Sequence, residues 1–311
     1  MPATLLLLSS FHAATLDTLK SRYDCHTLWN AENSNALIES VSETATVVVT
    51  SGSRGIENDL IDRLPNLKLI ACFGVGVDLI DVAYATSRGI VVTNTPDVLV
   101  DDVADLALAL TLATLREMCV NDAYVREGRW SEKPYGLTAS FQGRRVGIVG
   151  LGRIGHAIAT RCEAFGAPVS WTGPRAKPDA PYPYVADIVE LARGVDVLIA
   201  ACPGGAATQG IVSAEVIDAL GTQGIFVNIA RGSVVDEPAL IDALRTGRIA
   251  GAGLDVFYRE PNIDTAFAHL PNVVLQAHMG SATHRTRALM GELVVRNVDA
   301  FLQGKGAVTP V

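Results

Sequence analysis

Three charged or titratable side chains stand where strand-like segments run out. Arg231 follows Phe226–Ala230, Glu260 comes shortly after Leu254–Phe257, and His278 follows Val273–Ala277. An Arg grips a carboxylate through two parallel hydrogen bonds. A His delivers or takes a proton near neutral pH, and a carboxylate beside it favours the imidazolium. In an open α/β sheet, ligands bind beyond the carboxyl ends of the strands. The three side chains therefore make a set able to hold an anionic substrate and move one proton. Each also has a plainer explanation. Arg231 can be a structural ion pair, Glu260 can end a strand before Pro261, His278 can be a satisfied buried histidine, and Asp255 can cap or pair locally.

A second constellation is Gly150-Leu151-Gly152-Arg153-Ile154-Gly155, a G-x-G-x-x-G that follows the apolar run Val146–Val149 and opens a helix candidate. That context gives the pattern its meaning. Gly150 allows the tight turn, Gly152 lets a pyrophosphate approach the backbone, and Gly155 lets helix and strand pack closely. The N–H groups at the helix start then face the phosphates. An NAD site places an acid at the end of the next strand, about 20 residues on, for the ribose 2′-hydroxyl. Here that strand ends Thr172-Gly173-Pro174-Arg175-Ala176-Lys177, with no acid before Asp179. A guanidinium and an ammonium stand where a 2′-phosphate would lie, so the residues predict NADPH/NADP+ over NADH. The plainer alternatives are a ligand-free glycine turn and a solvated basic loop tip.

These residues need strands and helices to position them. Strands are expected at Thr4–Leu8, Thr46–Val49, Leu67–Cys72 and Ile90–Val92, with helices around His12–Ser21, Ile56–Arg63 and Asp78–Arg88. A second alternating block has strands at Val146–Val149, Val169–Thr172, Val195–Ala200, Ile225–Asn228, Gly251–Leu254 and Val273–Leu275, with helices such as Gly155–Ala164, Ala214–Leu220 and Glu237–Arg245. Ser281–Gln303 reads as a last helix. Short apolar strands alternating with helices imply parallel sheets covered on both faces. One long helix is expected over Asp101–Glu127. Its Leu106–Leu112 stretch is apolar almost all round, so it is either central in one chain or at a dimer interface.

The chain has 311 residues, 49% apolar and 19% charged. At roughly 150 residues per domain, this suggests two folded domains. The net charge of −8 and the lack of a basic run argue against nucleic-acid and anionic-membrane partners. Cys25, Cys72, Cys119, Cys162 and Cys202 form no CxxC pair. That predicts no disulfide framework, no metal site and a cytoplasmic setting. The apolar start Met1–Leu8 has no positive flank and is too short for a signal peptide. No stretch approaches the about 18 apolar residues of a membrane span.

The chain resembles the D-isomer-specific 2-hydroxyacid dehydrogenases. The resemblance rests on Gly74-Val75-Gly76-Val77-Asp78, Val149–Gly155, Asn228–Asp236, Gly253–Pro261 and His278-Met279-Gly280-Ser281. The loop with Arg175 and Lys177 is similar to that of the NADPH-preferring glyoxylate/hydroxypyruvate reductases and the related hydroxyphenylpyruvate reductases. The resemblance implies two Rossmann-like or flavodoxin-like parallel-sheet domains with a cleft between them. Residues 1–96 plus 283–311 would bind substrate, and 97–282 would bind the dinucleotide. It implies a homodimer, and favours the interface for the Leu/Ala-rich helix. It also implies roles. Arg231 would hold the carboxylate and keto oxygen of a 2-oxo acid, with the N–H groups of Val75 and Gly76. His278 would exchange the proton, oriented by Glu260. Leu151, Gly152, Arg153 and Ile154 would hold the pyrophosphate, and Gly173, Pro174 and Arg175 the 2′-phosphate. Cys202 and Pro203 would flank the adenosine, Ile229 would line the nicotinamide, and Asp255 would lie near its carboxamide. Many members have Pro before the catalytic His, where this chain has Ala277. Trp130 is a candidate for reaching a partner's pocket. The expected activity is NADPH-dependent reduction of glyoxylate and hydroxypyruvate, the latter to D-glycerate. The alternatives are an aromatic 2-oxo acid reductase and a nucleotide-sensing corepressor on the same scaffold.

Overall fold

The computed structural model describes residues 2–311. The chain divides into two compact units, one of residues 1–99 and 282–311 and the other of residues 100–281.

The first unit holds a five-stranded, all-parallel sheet in the order β2-β1-β3-β4-β5. Its strands are β1 (Thr4–Leu7), β2 (Asp24–Thr27), β3 (Ala45–Ser51), β4 (Leu69–Phe73) and β5 (Val91–Thr93). Their side chains are apolar on both faces because helices cover both. Leu5, Leu6, Leu7, Val47, Val48 and Val49 are fully buried. The helices are α1 (Ala13–Arg22), α2 (Ser34–Val41), α3 (Asn58–Asp62), α4 (Val82–Ser87) and, returning from the far end of the chain, the 19-residue helix His284–Leu302. β2 and α2 have no counterpart among the sequence expectations. β2 reads Asp-Cys-His-Thr and is an edge strand with no fully buried residue, so it needs no apolar run. α2 is eight residues long and buries only Ile38 and Val41.

The second unit holds a six-stranded parallel sheet. Its strands are β6 (Val146–Val149), β7 (Val169–Thr172), β8 (Val197–Ala200), β9 (Ile225–Asn228), β10 (Gly251–Leu254) and β11 (Val273–Leu275), in the order β11-β10-β9-β8-β6-β7. Outside β7 lies a single parallel bridge from Trp171 to Tyr184. Trp171 N–H donates to the Pro183 carbonyl at 3.0 Å, and Val185 N–H to the Trp171 carbonyl at 2.8 Å. Counting that bridge as a vestigial strand, the order is the doubly wound 3-2-1-4-5-6 with one strand added, and it reverses between β6 and β8.

The helices of this unit are α5 (Val100–Leu115), α6 (Met118–Arg126), α7 (Arg153–Ala164), α8 (Ile188–Arg193), α9 (Ala214–Leu220) and α10 (Glu237–Thr246). The terminal helix His284–Leu302 is α11. The expected single helix over 101–127 is two. Glu117 has φ +50, which interrupts the helix. The segment 135–139 takes up the groups left at the break. Ala139 N–H donates to the Leu115 carbonyl at 3.1 Å, Arg116 to Thr138 Oγ1 at 2.9 Å, and Tyr135 OH to Glu117 at 2.6 Å. Within the Leu/Ala-rich run, Ala107, Leu108, Leu110 and Thr111 are buried, Leu106 and Leu112 are partly buried and Ala109 is exposed. α5 buries Val103, Ala104, Ala107, Leu108, Leu110, Thr111 and Leu115 by packing on α7, β9 and β10 of its own unit. Beyond α5, the apolar side chains of Met118, Val120, Val125, Trp130 and Leu137 are exposed.

Among the described residues, no helix is long and apolar enough to cross a membrane, no acid/His/Cys group is placed to hold a metal, and all five cysteines are free.

Candidate active site

The carboxyl ends of β9, β10 and β11 bring the expected trio together. β9 ends at Asn228, and the turn that follows is tied by that side chain. Ala230 N–H donates to Asn228 Oδ1, and Asn228 Nδ2 donates to the Arg231 carbonyl, both at 3.0 Å. Arg231 is partly buried, with its guanidinium on the Ala230 carbonyl at 2.7 Å. The next residue must be glycine. A Cβ on Gly232 would stand 1.9 Å from the Phe257 carbonyl carbon and 2.2 Å from Tyr258 N, and backbone cannot yield that far. The Arg231 turn thus lies directly on the loop that carries Glu260.

Glu260 faces two ways. Oε1 accepts the Phe257 N–H at 3.0 Å, which closes its own loop, and Oε2 meets His278 Nδ1 at 2.7 Å. Burial pushes the Glu260 carboxyl up. The hydrogen bonds from His278 and Phe257, with the charges of His278 and Arg231, outweigh that and hold it below the usual carboxylate range. An ionised Glu260 fixes the imidazole tautomer, placing the proton on Nδ1, and orients Nε2 away from itself.

His278 sits at φ +54, a left-handed conformation uncommon outside glycine. Asp255, only 2% exposed, holds it there. Its carbonyl accepts the His278 N–H at 2.9 Å, and its carboxylate accepts Met279 N–H at 2.6 Å and Gly280 N–H at 2.9 Å. Burial raises the Asp255 pKa against the pull of those two amides. From the sequence, Asp255 is expected to be a local cap or a carboxamide contact. The structure engages both carboxylate oxygens 24 and 25 positions down the chain. Asn228 and Gly232 were not singled out from sequence, although both stand beside Arg231, where the strand must turn.

At the reversal point of the sheet, the glycine loop has the shape a dinucleotide needs. Gly150 takes φ +97, and a Cβ there would lie 2.8 Å from the Cys202 Cα. A Cβ on Gly155 would lie 2.1 Å from the Gly150 carbonyl oxygen, whereas one on Gly152 would meet nothing within 4 Å. Open space therefore faces the loop at Gly152, at the start of α7, whose first turn has no side-chain cap. Leu151 is buried, Arg153 exposed and Ile154 intermediate. Gly173 is held by Tyr184 OH on its carbonyl at 2.9 Å. Pro174 and Arg175 are exposed beyond it. Lys177 turns back so that Nζ donates to the Leu151 carbonyl at 2.5 Å, 5.9 Å from the Trp171 ring centre. Cys202 is buried, which raises its thiol pKa, and Pro203 is exposed. Ile229 is buried at the end of β9. These residues fit a dinucleotide with phosphate on its ribose: open backbone, a helix start, and cations in place of an acid.

In the first unit, Val75 and Gly76 follow β4. Asn94 Nδ2 donates to the Val75 carbonyl at 2.9 Å, and among the described residues neither the Val75 nor the Gly76 amide has a protein acceptor. Trp130 lies on a short 3-10 turn and is 66% exposed.

A doubly wound sheet with a phosphate-cradling loop, and an Arg, Glu and His at its carboxyl edge, define a dinucleotide-dependent dehydrogenase. Residues 108–280 match the family model of the D-isomer specific 2-hydroxyacid dehydrogenase, NAD binding domain. The chain is 46% identical over 293 residues to a hydroxyphenylpyruvate reductase of Plectranthus scutellarioides, covering 94% of each chain. It matches a glyoxylate/hydroxypyruvate reductase A of Arabidopsis thaliana to the same extent. Among solved structures, the NADPH-dependent glyoxylate/hydroxypyruvate reductase of Sinorhizobium meliloti in complex with NADP and malonate superposes with a TM-score of 0.94 at 41% identity, covering 100% of this chain and 97% of that one. The chain belongs to the D-isomer-specific 2-hydroxyacid dehydrogenase family.

Proposed function

We propose that this chain reduces small 2-oxo acids to 2-hydroxy acids with NADPH, glyoxylate and hydroxypyruvate foremost, the latter giving D-glycerate. The observation that carries this reading is the 2.7 Å contact of His278 Nδ1 with Glu260 Oε2 on a loop packed against the Arg231 turn. It makes a proton donor beside an anion grip. The names of the relatives in plants and Sinorhizobium support it. The hydroxyphenylpyruvate reductase is equally identical and keeps aromatic 2-oxo acids as a second reading.

Bound NADPH supplies the hydride. Arg231 holds the substrate carboxylate and polarises the keto oxygen, with the Val75 and Gly76 amides as further donors. His278 gives a proton from Nε2 to that oxygen as negative charge develops on it. Glu260 stabilises the imidazolium and sets its orientation. Residues 1–99 and 282–311 are proposed to bind substrate, and 100–281 the dinucleotide. Within the latter, the amides of Leu151 to Ile154 face the pyrophosphate and Arg175 takes the 2′-phosphate. Lys177 steadies the loop from the far side and adds charge. Cys202 and Pro203 flank the adenosine, and Ile229 backs the nicotinamide.

The exposed apolar residues of α6 and the stretch beyond it support a homodimer built there, with Trp130 within the contact. Five free thiols support a reducing, cytoplasmic setting.

The test is the initial rate of NADPH loss with glyoxylate, hydroxypyruvate and 4-hydroxyphenylpyruvate, with NADH in parallel. Turnover of the small acids, fastest with NADPH, is expected. Tight NADPH binding without turnover of any of the three would overturn the reading.

A further inference from the structure

A cavity of about 340 Å³ lies wholly within the first unit, lined by Phe11, His12, Ala13, Thr283, His284 and Arg287. That size is within the range of small-ligand sites. Its place is informative. In the order β2-β1-β3-β4-β5 the connection reverses between β1 and β3, and ligands of such sheets bind at that reversal, beyond the carboxyl ends of the strands. Phe11 to Ala13 are the residues that follow β1.

Its chemistry is that of an anion site. Arg287 packs its guanidinium over the Phe73 ring, 5.5 Å from the centre, and Phe11 stacks on the same Phe73 ring, 4.8 Å between centres at 22°. Arg287 is half-buried, burial lowers its pKa, and among the described residues no ion pair given for the acidic side chains includes it. No carboxylate lines the cavity. A cation taken out of water without a counter-charge is costly. The starts of α1 and of the 19-residue α11 also point their positive ends here, and His12 is steadied by Thr15 Oγ1 at 3.0 Å from Nδ1.

We propose that this cavity binds a small organic carboxylate, gripped by Arg287 and packed against Phe11. The inference does not rest on the reaction proposed above, because none of these residues is assigned a step in it.

The test is calorimetric titration of succinate into the full-length protein carrying Arg231→Ala, which removes the carboxylate grip of the catalytic trio. One succinate per chain is expected. Adding Arg287→Met should weaken binding by at least ~10-fold, and Arg287→Lys, which keeps the charge but not the fork, by less. Equal affinity in all three, or no binding to the Arg231→Ala protein, overturns the proposal. Should Arg287→Met fail to fold by circular dichroism, the Lys variant and Phe11→Ala carry the comparison. Heat of binding is read without turnover, so failure here is distinct from failure of the proposed reaction. In the otherwise unaltered enzyme, the kcat/KM ratio of 2-oxoglutarate to glyoxylate then identifies the source of the carboxylate. A ratio lowered at least ~10-fold by Arg287→Met assigns the far end of the substrate, and an unchanged ratio with positive titration assigns a separate acid. Either result supports the site.

Discussion

His278 donates its main-chain N–H to the Asp255 carbonyl oxygen at 2.9 Å, and the Asp255 carboxylate holds the next two amides. One buried residue thereby fixes three consecutive N–H groups of a loop whose first residue is in the left-handed region. Such a conformation persists only when its surroundings over-determine it. Asp255 is therefore a positioning residue for the imidazole.

Asp255→Asn replaces one acceptor oxygen with an NH₂ group that faces an amide. Hydrogen bonds to a charged group contribute about 1.5–3 kcal/mol each, so kcat should fall by ~10–100-fold. The NADPH dissociation constant should move far less. A variant that loses NADPH affinity but keeps kcat would instead place Asp255 on the cofactor.

His278→Ala and Arg231→Ala should each lower kcat/KM by ~10²–10⁴-fold, with NADPH fluorescence titration unchanged. His278→Ala should act on kcat, and Arg231→Ala on both kcat and KM. Near-normal turnover in either would remove that residue from the chemistry.

Glu260 carries the pH dependence. Its carboxyl is held below the usual range, so its contribution is complete above the ordinary carboxylate value of about 4.3. That contribution is lost as pH falls through the lower folded-state value. Thermal melts of the protein and of Glu260→Gln should therefore differ at neutral pH and converge in acid. The acid limb of kcat/KM should shift in the variant. Superimposable pH profiles would exclude Glu260 from the mechanism.

Arg175→Ser should erase most of the NADPH preference. One charge-assisted fork is lost, and kcat/KM with NADPH should drop ~10–100-fold while that with NADH holds. Lys177→Met should cost less, because its ammonium is already engaged by the Leu151 carbonyl. A cofactor ratio unaffected by Arg175→Ser would put the 2′-phosphate elsewhere.

The residue types and their order along the chain determined a good deal unaided. Apolar strand runs alternating with helices dictate buried parallel sheets, because a strand covered on both faces must be apolar on both. The glycine spacing dictates the phosphate loop, because the turn at Gly150 and the approach at Gly155 exclude a Cβ. Arg231, Glu260 and His278 were legible because each follows the end of a strand. Contacts between distant segments were not legible. β2 is an edge strand whose neighbour, not its composition, makes it a strand. Arg116-Glu117 contains no helix breaker, and the helix divides there because residues 135–139 arrive to take its exposed groups. Asp255 looked like a local cap, and became the anchor of the His278 loop only once β10 and β11 lay side by side. Local propensity is written into neighbouring residues, whereas the partner of a buried carboxylate or a loose helix end is chosen by packing.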